Sequence, residues 1–157
     1  MAEYGTKQIF HTPLTDTSKT DKEGVGVYRI ESGNIYQYVQ DSGAGVAAYE
    51  LCYMPVGTAD IVKATANTDN AHALGALAVP QAAIETSYYG WAMIKGVATI
   101  LKMQSTKNFT VGRRVRVGAT AGRLQYASTT DVYTDAIYVL VAASTTEANC
   151  SCRIAFM

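Results

Sequence analysis

"SYYGWAMIKGVATILK", Ser87 to Lys102, is the stretch whose reading decides the fold. It holds the only tryptophan, Trp91, beside Tyr88, Tyr89 and Gly90, and continues through apolar residues interrupted by Lys95 and Gly96. Strand side chains alternate with period two. Trp91, Met93, Val97 and Leu101 then share one parity, and Ile94, Ala98 and Ile100 the other. A strand that is apolar on both sides is covered on both sides. Tyr88–Lys95 and Val97–Met103 read as strand hinged at Gly96, and Gly90 and Gly96 permit the bends of a small barrel. Trp91 is therefore expected in a core or a subunit seam, whereas Tyr88 and Tyr89, at the start of the strand, are placed to meet a partner.

Working outward, the neighbouring segments also read as strands. "GVGVYRI" and "IYQYVQ" flank "ESGN" and predict a hairpin, with Tyr28, Tyr36 and Tyr38 able to share a face. Ala47–Leu51 is open to either a helical turn or a short strand, ended by Pro55. "TADIVKATA" predicts a strand, Asn67–Asn70 a loop and Leu74–Val79 a further strand. "FTVGRRVRVGATAGRLQYA" predicts two short strands joined by a turn at Gly118–Gly122. "AIYVLVAA", Ala136 to Ala143, is apolar throughout and predicts a central strand. "NCSCRIAFM" alternates, with Cys150, Cys152, Ile154 and Phe156 on one side. The expected class is all-β, a small barrel or sandwich of about 8–11 short strands with room for one short helix.

The first 24 residues differ. "HTPLTDTSKTDKEG", His11 to Gly24, is rich in Thr, Asp and Lys and cannot offset its own ordering entropy. Tyr4, Ile9, Phe10 and Leu14 nevertheless give it apolar groups to dock. Residues 1–24 are therefore read as an extended arm that orders against a partner, and residues 25–157 as one β-barrel-like domain.

Composition narrows the function. The chain has 157 residues, zero formal net charge and 17% charged residues. An average soluble domain has roughly 25%. A sparsely charged, neutral surface favours association and argues against a dedicated nucleic-acid binder. Three cysteines, Cys52, Cys150 and Cys152, do not suit a disulfide framework and read as reduced, buried thiols. The start, "MAEYGTKQIF", lacks the pattern of a signal peptide. "AIYVLVAA" is far shorter than the roughly 20 residues that span a bilayer, so no membrane association is expected.

Catalytic motifs are lacking at the level of sequence. His11 lies in the polar arm and His72 in an Ala-rich loop, neither in a recognisable constellation. Cys150-x-Cys152 offers half a zinc site with no second pair, so no metal and no cofactor are expected. "GATAG", Gly118 to Gly122, lacks the Lys-Ser/Thr of a phosphate loop and reads as a turn. The carboxylates are scattered. "RRVRV", with Arg113, Arg114 and Arg116, reads either as a solvated strand face or as a set of forks for an acidic partner surface.

The order of short motifs carries a resemblance. Gly75-Ala76-Leu77-Ala78, Tyr89-Gly90-Trp91, Gly96-Val97-Ala98, Gly112 to Val115 and Ala121-Gly122-Arg123-Leu124 follow one another, then an apolar strand and a short terminal strand. Over roughly residues 25–157 this series resembles bacteriophage head decoration, or capsid cement, proteins. The resemblance implies a non-enzymatic virion protein. Such a subunit binds the outer surface of an assembled capsid, clamps neighbouring copies of the major capsid protein, and is itself a homo-oligomer, a trimer or dimer, made in the host cytoplasm. Low charge and many tyrosines suit such an interface, and many identical sites on a shell let modest contacts act together. The expected contact residues are Tyr4, Ile9, Phe10, Leu14, Tyr88, Tyr89, Arg113, Arg114 and Arg116. The competing readings are a tail or neck adaptor, and a small barrel binding carbohydrate or single-stranded nucleic acid through Trp91 and the tyrosines.

Overall fold

The computed structural model describes residues 9–55, 57–63, 75–103, 111–112, 115–118, 120–126, 137–141 and 149–154. Among them the chain forms eleven strands and no helix. In order these are β1 (Thr17–Ser18), β2 (Tyr28–Glu31), β3 (Asn34–Asp41), β4 (Cys52–Pro55), β5 (Asp60–Lys63), β6 (Gly75–Pro80), β7 (Tyr89–Lys102), β8 (Val115–Val117), β9 (Leu124–Tyr126), β10 (Ile137–Val141) and β11 (Asn149–Ile154). The expectation of an all-β barrel is met. β7, β6, β4, β5 and β3 follow one another by hydrogen bonding, and β3 returns to β7, closing a five-stranded barrel. The β3–β5 pair is parallel and the other four junctions are antiparallel. β2 extends from β3, β11 and β10 extend from β7, β1 pairs β7, and β8–β9 form a separate hairpin.

Cross-strand register sorts the apolar residues into two clusters on opposite sides of the barrel wall. Gln37 pairs with Ala92, and Cys52 with Ala78. Their side fills the lumen with Val39, Cys52, Met54, Ile61, Ala78 and Ala92, to which all five barrel strands contribute. These are mostly small side chains, as a narrow barrel requires. Val46 and Ile84 bridge across one end. On the other side, Tyr38 pairs with Trp91, and Tyr36 and Val79 both pair with Met93. The large aromatics therefore lie outside the lumen and form a second core. Phe10 and Leu14 of the N-terminal segment, Val27, Val115 of β8, Leu124 of β9 and Cys152 of β11 cover it. The strand apolar on both faces is thus explained: β7 separates the two cores.

Four expectations are corrected. Tyr28 pairs with Gln37, so it lies on the opposite face from Tyr36 and Tyr38 and is exposed. The two-residue turn Ser32–Gly33, with positive φ at both positions (51° and 79°), sets that register. β7 is one 14-residue strand rather than two, but its register against β3 slips between Met93 and Lys95, just before Gly96 (φ 133°). Beyond the glycine, Ala98 joins the Trp91 cluster and Val97 turns outward, so Val97 does not share the face of Trp91. "AIYVLVAA" supplies β10, which stands at the end of the strand order among the described strands rather than at its centre. Ala47–Leu51 forms neither helix nor strand but a turn in which Tyr49 has φ of 62°. The loop expected at Asn67–Asn70 lies outside the described residues.

Candidate interaction surface

The N-terminal segment is fastened to the barrel by a relay of hydrogen bonds. The indole Nε1–H of Trp91 donates to Thr12 Oγ1 at 3.0 Å, and the Thr12 hydroxyl donates to Glu23 Oε1 at 2.6 Å. The same carboxylate oxygen accepts the backbone N–H groups of His11 (2.8 Å) and Thr12 (2.6 Å). Arg29 Nη1 donates to the Thr12 carbonyl at 2.8 Å, with its guanidinium 5.3 Å from the Phe10 ring and 5.7 Å from the Trp91 ring. Phe10 meets Trp91 edge-on at 5.3 Å, and Tyr38 does so at 5.1 Å from another side. Sequence reasoning finds the apolar groups of this segment. It misses Thr12, Glu23 and Arg29, because nothing local marks a threonine as the partner of a distant indole.

The expected contact residues do not gather in one place. Phe10 and Leu14 pack on the chain's own core, whereas Ile9 just before them is 75% exposed. Tyr88 is half-buried, with the Lys19 ammonium 5.5 Å above its ring. Tyr89 is half-buried and stacks on Tyr38, with centroids 6.3 Å apart and planes 12° apart. Arg116 stands on β8 opposite Gln125; only its strand position is described. Tyr4, Arg113 and Arg114 lie outside the described residues.

Two further features escape the sequence reading. Tyr28 (57% exposed) and Ile30 (75%) stand on β2, and Val97 and Ile100 are exposed on β7. Beside them a cleft of about 520 Å³ opens at the tip of the β2–β3 hairpin. Asn34, Ile35, Lys95, Val97, Thr99 and Arg153 line it, and both of its charged side chains are basic. The signal that could have located both is the Ser-Gly turn, which fixes which β2 residues face away from the core.

The buried polar groups are arranged for structure. The Glu50 carboxylate accepts the Ala47 N–H at 2.9 Å and lies 3.1 Å from Lys63 Nζ and 3.8 Å from Lys102 Nζ. Cys52 is fully buried, and burial, with the Glu50 and Asp41 carboxylates, pushes its thiol far above the ordinary range. A thiol held protonated is a poor nucleophile. His11 is exposed and its side chain joins no described catalytic grouping. Among the described residues no three of His, Cys, Asp and Glu come together as metal ligands. Among the described residues no helix is long and apolar enough to cross a membrane.

No protein-family model matches this chain, and no curated protein matches it.

Proposed function

We propose that this protein is a non-enzymatic virion structural protein that binds the outer surface of an assembled phage capsid and reinforces subunit junctions. The observation that carries the reading is the set of exposed apolar side chains on strands and at the arm: Ile9, Tyr28, Ile30, Val97 and Ile100. Side chains of this kind on a low-charge surface suit burial against another protein. The resemblance of the motif series to head decoration proteins supplies the partner, the major capsid protein. The N-terminal strap supports the reading in a second way. Its covered residues fix the path of the segment across the barrel, so that Ile9 is presented from a rigid base.

The burial of Trp91 counts against the competing barrel that stacks sugars or bases. Trp91 is 1% exposed, with its N–H already engaged by Thr12. A stacking platform needs an open ring face.

The test is co-sedimentation of the purified chain with assembled heads, followed by labelling of intact particles. Saturation at a fixed ratio to the capsid protein, with label over the whole head, supports the proposal. Failure to sediment with heads, or label confined to one vertex, overturns it; the latter would favour a neck or tail adaptor.

A further inference from the structure

β2 is an open edge of the sheet: β3 lies on one side, and no described strand lies on the other. The hairpin turn determines what that edge offers. Ser32–Gly33 is a two-residue turn of the type I′ form, which makes Glu31–Asn34 the hydrogen-bonded closing pair. Antiparallel pairs alternate between bonded and non-bonded, so Arg29–Tyr36 is the next bonded pair. Tyr28 and Ile30 therefore aim their backbone N–H and C=O groups away from β3. These are the same two residues whose apolar side chains are 57% and 75% exposed. "YRIE" holds neither lysine nor proline, and its two charges, Arg29 and Glu31, are of opposite sign and so blunt the edge less than a run of like charge would.

We propose that β2 is a self-association edge, pairing antiparallel with β2 of a second copy about a twofold axis at Ile30. In that register the two Ile30 residues exchange N–H and C=O and stack their side chains. Arg29 of each copy stands opposite Glu31 of the other. The two residues already form an ion pair within one chain, so their charges are placed to be shared across the axis. A register centred on Arg29 would set two guanidinium groups face to face and is disfavoured. The straight edge ends at Gly26–Val27, where two residues oppose Tyr38: Gly26 N–H donates to the Tyr38 carbonyl, and Tyr38 N–H to the Val27 carbonyl. The edge is therefore short and the dimer weak, with a dissociation constant on the order of 100 µM. This deepens the expectation of self-association but does not rest on capsid binding, and its test uses the purified chain alone.

Sedimentation equilibrium on the full chain, from about 5 µM to about 500 µM, brackets that constant. The expected result is a mass rising toward twice the monomer. Ile30→Lys should weaken association at least about tenfold, and Glu31→Arg should weaken it about fivefold by setting Arg against Arg29. Both sites are exposed, and Ile30→Thr gives the same direction without a new charge. Val111→Lys, at an exposed position outside β2, serves as the control that leaves association unchanged. A wild-type chain that stays monomeric throughout, a trimer, or a dimer indifferent to every edge variant would overturn the proposal.

Discussion

Trp91 and Thr12, 79 residues apart in the chain, are joined by a 3.0 Å hydrogen bond from the indole N–H to the threonine hydroxyl. Both are buried. The bond is the point at which the N-terminal segment stops being a tail and becomes part of the barrel. Thr12→Val keeps the shape of the side chain but leaves the indole N–H without a partner and removes one of the three hydrogen bonds that Glu23 Oε1 accepts. An orphaned buried donor costs about 1–3 kcal/mol. Urea unfolding followed through Trp91, the only tryptophan, should report that loss. Thr12→Ser should recover most of it, and equal stability for Thr12→Val and wild type would show that the bond contributes nothing.

Ile9 and Phe10 are adjacent yet should separate docking from folding. Phe10 lies edge-on to Trp91 and is half-buried, so Phe10→Ala should lower stability by about 1–3 kcal/mol. Ile9 is 75% exposed, and Ile9→Ser should shift stability by less than about 0.5 kcal/mol. If the exposed end of the strap meets the shell, Ile9→Ser should reduce head binding while its melting curve overlays the wild type. Unchanged head binding would remove Ile9 from the interface. Deleting residues 1–20 cannot make this distinction, since it also strips Phe10, Thr12 and Leu14 from the second core.

Much of this fold is legible in the sequence because strands announce themselves through period-two patterns and turn residues. The β2–β3 hairpin, the β8–β9 hairpin and the burial of Trp91 all follow from such local signals. What is hidden is non-local. Nothing in "YVQ" and "DIV" states that β3 pairs parallel with β5 and closes a ring. The face of Tyr28 depends on turn length: with Ser32–Gly33 at the tip, Ile30 stands opposite Ile35 and Tyr28 opposite Gln37, and a turn one residue longer or shorter would invert every side chain on the strand. The register slip between Met93 and Lys95 likewise exchanges the sides on which Val97 and Ala98 lie. The candidate surface was less legible still. Exposure of Ile30 is a property of the open edge, and the role of Thr12 is set by a residue far along the chain.

Gly96 should tolerate no side chain. Its φ of 133° is a conformation that other residues rarely adopt, and a Cβ there would fall 2.1 Å from Asn34 Oδ1. That oxygen accepts the Val97 N–H at 2.9 Å, so the asparagine cannot withdraw without loss. Gly96→Ala should cost more than about 2 kcal/mol. Asn34→Ala relieves the clash but not the backbone strain, so the double variant should be more stable than the sum of the two single losses predicts. Strict additivity would mean that the two residues do not meet.

Glu50 should behave as a clasp rather than a reactive acid. It ties the Ala47–Glu50 turn to Lys63 at the end of β5 and Lys102 at the end of β7. Glu50→Gln keeps the shape and removes the charge. Both lysines are partly exposed, at 37% and 25%, and can turn to water, so the expected loss is modest, about 1–2 kcal/mol. Thermal melts of Glu50→Gln and of Lys63→Met, alone and combined, measure the coupling, and a value near zero would leave the clasp without an energetic role.

Cys52 sets an alkaline limit on stability. Burial holds its thiol protonated in the folded chain, whereas in the unfolded chain it ionises near the ordinary value of about 8.5. A group whose folded value is raised contributes stability that is fully present below the unfolded value and is lost as pH rises toward the folded one. Above about pH 8.5 the unfolded state therefore binds fewer protons than the folded state, and stability from this residue falls by about 1.4 kcal/mol per pH unit. Burial also raises the Tyr38 hydroxyl above its usual 10.0, which adds a second loss of the same sign at higher pH. Urea unfolding of wild type and Cys52→Ala at pH 7, 9 and 10 isolates the thiol. The variant begins less stable at pH 7 because a small cavity is left, and the gap should narrow as pH rises. A gap that stays constant across that range would mean that the Cys52 thiol ionises as readily in the folded chain as in the unfolded one.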